Sequence, residues 1–305
     1  MLSASPLTLV TSDLHLAEER DPAIGIDRTV TVFNAMIDLG IDLEISSLVL
    51  AGDVVHKGAK HKTLLEDSAR MRSVAERAAG HFPILWIRGN HDIGMNRKKV
   101  RALLGEEVTL VEPLTLTQDG VFIHHGHLKA DSLVQSLMKA IRAFSTSPDH
   151  WNRQRFAKHS AEKIIRECEG WKDLDPLLRE NMRSMRQMYQ QTFLRMDCKA
   201  LKKNGGNGYC TTAQLGAIAG AWASIDGHDH KQRLEAVPIW DPQTDGSRLM
   251  LGGNCGSFKS AEHGPTCILA SYPELSMWEY DSYAEAMVQS ADMRLPIAPT
   301  RQSEP

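Results

Sequence analysis

Residues 86–92 read Trp-Ile-Arg-Gly-Asn-His-Asp, WIRGNHD. The apolar run 84–87 has the length of a buried strand, and it passes directly into a cluster of polar and turn-forming residues. Gly89-Asn90 is ordinary turn chemistry. The cluster is therefore either a surface turn or the rim of a site whose ligands lie where a parallel strand ends. The rest of the chain decides between these, because the same pattern recurs.

Working outward, residues 7–11 form a short apolar strand. Val30, Phe33 and Ile37 then recur at helical spacing, with Gly40 placed to end that helix. A second strand at 48–51 is followed by a helix carrying Leu64, Leu65, Met71, Val74, Ala75 and Ala78, closed by Gly80. Strands at 84–87 and 121–125 complete a βαβ rhythm, which predicts an α/β fold with a largely parallel sheet covered on both faces. From about 130 to 201 only helical periodicity remains, with polar breaks at 145–149 and 170–175. Met182, Met185, Met188, Phe193 and Met196 fit one helix face, read as core packing. Asn204-Gly-Gly-Asn-Gly208 is a loop, after which strand-like segments return at 223–226, 233–239, 248–251 and 267–271. The domain reading is a core of residues 1–130 and 205–295, a helical cap insertion at 131–204 and a flexible tail at 296–305. No internal repeats are visible.

The composition is that of a soluble globular protein: of 305 residues, 42% are hydrophobic and 24% charged, with room for a large core. No apolar run is long enough for a membrane span, and the N-terminal segment lacks the basic start of a signal peptide. Five scattered cysteines without a C-x-x-C pair argue for free thiols in a reducing compartment and against a thiolate zinc site. The expected location is the cytoplasm, with peripheral membrane contact as the alternative. Net charge is −3, unevenly spread. Residues 139–203 hold fifteen Lys and Arg against eight Asp and Glu, a local +7, so the remainder carries −10. A basic module of this kind suits an anionic partner, lipid or nucleic acid; a helical surface that is merely basic explains it equally well.

Each predicted strand finishes in metal-competent side chains: Asp13-Leu-His15, Gly52-Asp53, Gly89-Asn90-His91-Asp92, His124-His125-Gly126-His127 and Gly227-His228-Asp229-His230. Residues i and i+2 of an extended segment point the same way, so Asp13 with His15, and His228 with His230, can each bite one centre as a pair. The glycines before Asp53, Asn90 and His228 permit sharp turns and close approach to a ligand. A set of carboxylate, amide and imidazole without sulfur suits Mn²⁺, Fe²⁺ or Zn²⁺ better than Ca²⁺. Seven ligands exceed one tetrahedral ion. Two ions roughly 3.5–4 Å apart, with Asp53 as a bridge, account for all of them.

In that order, D-x-H, G-D, G-N-H-D, H-G-H and G-H-x-H resemble the calcineurin-like metallophosphoesterase superfamily, over residues 7–128 and 224–257. The resemblance implies an αββα sandwich with the cap inserted between its halves. It implies one metal held by Asp13, His15, Asp53 and His230, a second by Asp53, Asn90, His125 and His228, with Mn²⁺ favoured. It further implies attack on a phosphoester or pyrophosphate by a metal-bridging water or hydroxide. His91 would protonate the leaving group and Asp92 would orient the His91 ring. Gly252-Gly-Asn-Cys-Gly-Ser257 looks like the late Asn-x-Gly-Ser loop that lies near the metals. His125, which precedes Gly126, is the expected ligand, and His124 a buried, hydrogen-bonded histidine on the opposite face. His56 stands where many members carry a second acid, Arg88 reads as a loop tether more than a phosphate contact, and His127 is undecided.

A basic helical insertion between H-G-H and G-H-x-H is similar to the UDP-2,3-diacylglucosamine hydrolase branch, where a cap holds acyl chains. The sequence departs from that branch at His91, where many of those enzymes carry arginine, and at His127, where they typically carry aspartate. A nuclease is the alternative, since a basic cap can follow a phosphate backbone, although the insertion has few aromatics to stack bases. A non-catalytic scaffold would have no need of the ligand set.

Overall fold

In the computed structural model the described residues are 6–16, 26–56, 61–92, 94–111, 114–126, 216, 220–228, 230–241, 246–258 and 265–295. The cap insertion, the tail and His127 lie outside them. Strands β1 (Thr8–Thr11), β2 (Ser47–Ala51), β3 (Ile84–Ile87) and β4 (Val108–Val111) lie side by side in parallel. Their period-two alternation sorts side chains between two cores. Leu9, Leu48, Leu50, Ile84 and Trp86 face a layer of helices, α1 (Ile26–Asp42), α2 (His61–Ala75) and α3 (Arg97–Leu104). Val10, Val49, Ala51 and Ile87 face the other way and meet Val121, Ile123, Ile225 and Leu251 of a second sheet. Burial on both faces is why these strands read as continuous apolar runs.

The expectation of one largely parallel sheet needs correction. Among the described residues there are two stacked sheets. The second, in spatial order, contains β5 (Leu114–Leu116), β6 (Val121–His124), β7 (Ala223–Asp226), β9 (Gly246–Cys255) and β8 (Gln232–Asp241). Strands β6, β7 and β9 are mutually parallel, so parallel pairing is divided between the sheets. The first sheet is extended in antiparallel fashion by β10 (Thr266–Ser271), β11 (Glu274–Asp281) and β12 (Ala286–Arg294). The architecture is thus the expected mixed α/β sandwich, reached through more antiparallel structure than the sequence rhythm suggests.

Gly40 does not end α1, which continues to Asp42. Its role is close packing: a Cβ there would lie 2.8 Å from both Ile45 and Phe82 side-chain atoms. Helix α3, β4 and β5 are absent from the sequence reading, being short. Asn96 caps α3, its side chain accepting from the Lys99 amide at 3.0 Å. Strands β11 and β12 are also absent from it, because their outward faces are polar and dilute the apolar alternation.

Candidate metal centre

Register places the site. Thr11 pairs with Leu50 and Ala51 with Ile87, so the loops after β1, β2 and β3 leave the first sheet at one edge. Ile123 pairs in parallel with Ile225, so His125 and His228 leave the second sheet together. Backbone bonds lash these loops to one another. The Asp13 amide donates to Gly52 O (3.0 Å), that of His15 to Asp53 O (2.9 Å), and that of Gly227 to His125 O (3.1 Å). The three glycines that precede predicted ligands are all points of close approach. A Cβ at Gly52 would lie 2.4 Å from the His125 ring, one at Gly89 2.1 Å from Asp53 Oδ1, and one at Gly227 2.6 Å from Asp13 Oδ2.

Three groups of donors result, each with its ligand atoms within 4.8 Å of one another: Asp13, His15 and His230 in one, Asp53, His125 and His228 in a second, and His15, His56 and His91 in a third. The Asn90 amide oxygen joins the second group, 3.2 Å from His125 Nε2. Spacing alone predicts that His228 and His230 share a centre, and the structure separates them. The reason is local backbone. Asp13 (φ 57°), His15 (48°), Asp53 (51°), His228 (70°) and His230 (55°) are all left-handed, not extended, so the i, i+2 rule does not apply. Each such residue costs on the order of 1–2 kcal/mol. Five in one site mark a backbone held against its preference by the lashings around it.

The two aspartates divide their oxygens in the same way. Asp13 Oδ2 accepts from the His228 amide (2.9 Å), leaving Oδ1 3.2 Å from His230 Nε2 and 3.6 Å from His15 Nε2. Asp53 Oδ1 accepts from the His91 amide (2.8 Å), leaving Oδ2 3.1 Å from His125 Nε2 and 3.9 Å from His91 Nε2. His125 is oriented from behind, its Nδ1–H donating to Ala51 O at 2.8 Å, which turns Nε2 toward the site. One oxygen of each carboxylate anchored by a backbone amide and the other facing imidazole nitrogens, without sulfur, is a donor set that fits two divalent cations of the Mn²⁺, Fe²⁺, Zn²⁺ type.

Electrostatics agree. Burial opposes ionisation of Asp13, but hydrogen bonds to His15 and His230, the His125 charge and the His228 amide hold its carboxyl far below the usual range. Burial likewise opposes ionisation of Asp53, and the bond to and charge of His125 outweigh it. For His125, burial favours the neutral ring, yet hydrogen bonding to Asp53 and the charges of both aspartates lift its pKa to about 9. In the metal-free protein that ring therefore carries a proton at neutral pH, which a cation held at Nε2 would displace. Mn²⁺ affinity is expected to rise up to about tenfold per pH unit below pH 9 and to level off above it. Calorimetry in buffers of different ionisation enthalpy should register close to one proton released per protein at pH 7; a pH-independent affinity would contradict this.

Asp92 requires a correction. It was expected to orient the His91 ring. Instead its fully buried carboxylate accepts from Val55 N (3.1 Å) on Oδ1 and from Val54 N (3.3 Å), Trp86 Nε1 (3.1 Å) and Gly89 N (3.0 Å) on Oδ2. It buckles the loop after β2 to the loop after β3. Burial raises its pKa, against the pull of those donors.

His91 stands at the rim, its side chain 22% exposed. His56 lies beside it: the ring centroids of His56 and His91 are 5.1 Å apart, those of His56 and His15 5.8 Å. Sequence left His56 without a role, and the fold brings it into the site. His124 is buried against Phe122, as its place on the opposite face requires. Arg88 is half-buried. Three residues around the site went unremarked in the sequence: Ser12, Asp226 and Arg233. Only Asp226 left a trace, an acid closing an otherwise small and apolar strand.

A two-sheet sandwich with paired carboxylate–imidazole groups on one edge is the architecture of a metal-dependent hydrolase. A family model of calcineurin-like phosphoesterases matches residues 7–192. The chain belongs to that family and is a metal-dependent phosphoesterase. The match stops short of His228 and His230, which the fold carries into the site. No curated protein matches the chain. Similar solved structures include a dimetal phosphatase from Danio rerio (10% identity, 96% of this chain and 99% of that one, TM-score 0.44). Others are GAP50, the anchor in the inner membrane complex of Plasmodium (11%, 97% and 90%, 0.42), and the cold-active protein-tyrosine phosphatase of a psychrophilic Shewanella species (12%, 93% and 80%, 0.40). Among the described residues no helix is long and apolar enough to cross a membrane.

Proposed function

We propose that this protein hydrolyses a phosphoester or pyrophosphate bond in an anionic substrate, using two divalent cations and His91 as general acid. The observation that carries this reading is the pair of adjoining donor groups in which each aspartate has one oxygen anchored by a backbone amide and the other facing imidazole nitrogens. One cation would be held by Asp13, His15, Asp53 and His230, the other by Asp53, Asn90, His125 and His228. Bound there, such ions supply charge to neutralise phosphoryl oxygens and make water nucleophilic near neutral pH. The donor set admits Mn²⁺, Fe²⁺ and Zn²⁺ alike, and Mn²⁺ is the one favoured by the family resemblance.

The chain's own contribution is positional. The His228 and His91 amides fix the aspartate oxygens, and Ala51 fixes the His125 ring, so little reorganisation is needed as charge develops. The His91 imidazolium donates its proton to the leaving oxygen as the phosphorus–oxygen bond breaks. The attacking water releases an equivalent proton, so the products are an alcohol (or second phosphate) and a phosphate, and the imidazole can be recharged. His91→Ala should then lower kcat about 10²–10⁴-fold on an alkyl ester, and much less on a p-nitrophenyl ester whose leaving group needs no proton. Bound Mn²⁺ should be unchanged. Full activity on the alkyl ester in this variant would remove His91 from the mechanism.

The local +7 of residues 139–203 supports a substrate with an extended anionic portion, and a nucleotide-linked lipid meets that description, in a cytoplasmic enzyme that can work at the membrane face. Mn²⁺-supplemented assays with bis-p-nitrophenyl phosphate, p-nitrophenyl phosphate, DNA and UDP-sugar lipids test this. Release of UMP with DNA untouched supports the lipid-linked substrate. Oligonucleotide cleavage with steep salt dependence replaces it with a nuclease. No hydrolysis of any of them, together with no bound metal, removes the enzymatic reading.

A further inference from the structure

One row of polar side chains runs across the second sheet immediately behind the histidine loop. Asp226 at the end of β7 pairs with Asn254 on β9, and Asn254 with Arg233 on β8. The Asp226 carboxylate and the Asn254 amide are wholly buried. Asn254 Nδ2 donates to Asp226 Oδ1 at 2.6 Å and to Gly227 O at 2.7 Å. Arg233 donates to both Asp226 oxygens, at 3.3 and 3.2 Å, and is itself braced by Glu235 at 3.0 Å. A buried carboxylate is tolerated only when it is paired and hydrogen-bonded in this manner.

From these contacts, and resting on the metal-centre reading above, we infer that Asp226, Asn254 and Arg233 form a positioning clasp that sets the Asp13/His230 half of the centre. The clasp touches that half from two sides. Through Gly227 O, Asn254 fixes the peptide that leads into His228 and His230. Through its Oδ1, which accepts from the Gly256 amide at 2.9 Å, it fixes the turn 256–258. That turn in turn holds the Asp13 strand end: Ser12 Oγ donates to Gly256 O (3.3 Å), while Ser257 Oγ (3.4 Å) and the Phe258 amide (3.3 Å) donate to Asp13 O. Gly227 itself has no room to shift, since a Cβ would lie 2.5 Å from Ser12 Oγ. The other half depends less on the clasp. Asp53 is held by the His91 amide and the His125 ring by Ala51 O, and its links to Gly227 are His228 and the His125 carbonyl, which accepts from the Gly227 amide at 3.1 Å.

A clasp that positions one half-site weakens one metal equivalent; a clasp that merely stabilises the fold weakens both or neither. Mn²⁺ alone, titrated calorimetrically into the full-length metal-free protein, distinguishes these, with His230→Ala identifying the equivalent that belongs to the Asp13 half. Asn254→Ala is expected to weaken that equivalent about 10–100-fold while changing the other less than about threefold. Arg233→Gln should act in the same direction by roughly three- to tenfold, and Arg233→Lys, which keeps the charge facing Asp226, should restore most of the loss. Arg233 is the more exposed member, and if Asn254→Ala does not fold by circular dichroism the Arg233 pair carries the test. Equal weakening of both equivalents, or no change in either, overturns the clasp. A wild-type protein that takes up no Mn²⁺ at all overturns the metal centre as well, and is separated from failure of the clasp alone by that titration.

Discussion

Asp53→Ala is expected to abolish hydrolysis to the level of about a thousandth of wild type or less, a loss of roughly 4 kcal/mol in transition-state stabilisation. Asp53 has one oxygen on the backbone amide of His91, the proposed acid, and the other toward His125. Its removal acts three ways. It takes a ligand from the second donor group, it removes the charge shared between the groups, and it frees the loop that carries His91. Metal analysis after dialysis should therefore find fewer than two Mn²⁺ per chain. An Asp53→Ala protein that keeps both equivalents would exclude the bridging role, whatever happens to activity. Asp53→Asn sharpens the measurement, because the amide keeps an oxygen for the His91 amide while losing the charge that lifts the His125 pKa to about 9. In that variant proton release on metal binding at pH 7 should fall.

The second large effect is on stability. Asp92→Ala leaves the amides of Val54, Val55 and Gly89 and the Trp86 indole N–H without their buried acceptor. Unsatisfied buried donors cost about 1–3 kcal/mol each before relaxation, and losses above 4–5 kcal/mol in all are exceptional. A destabilisation of roughly 3–5 kcal/mol is expected, seen as a fall in Tm on the order of 10 °C. His91→Ala, one residue away, should leave Tm nearly unchanged while lowering kcat. The contrast tests the corrected role of Asp92. A variant at Asp92 that melts like wild type but has lost its rate would return it to the catalytic machinery beside His91.

How much of this was legible beforehand depends on the kind of feature. Strands β1, β2 and β3 were readable because both their faces are buried, which leaves unbroken apolar runs such as 48–51 and 84–87. The donor side chains were readable because carboxylates, amides and imidazoles closing such runs have few structural reasons to be there. Strands β11 and β12 were not readable, since a ribbon at the edge of a sheet keeps one face in water and shows no long apolar run. Nor was the division of the parallel strands between two sheets, because pairing partners are chosen by contacts between segments distant in sequence.

Local residue pattern thus set the strand ends and the donor chemistry, which follow from which side chains stand next to which in the chain, and the order of the motifs carried the resemblance that implies the reaction class. Four other features depend on the folded chain: the parting of His228 from His230, the use of Asp92 as a buckle, the arrival of His56 beside His91, and the Asp226–Asn254–Arg233 row. The first goes with left-handed backbone at both histidines and the last with cross-strand register, while Asp92 and His56 meet their partners through bonds and packing between the loops after β2 and β3. Sequence spacing carries no record of such bonds, because a residue's φ is chosen there by the loops that hold it and not by its own preference.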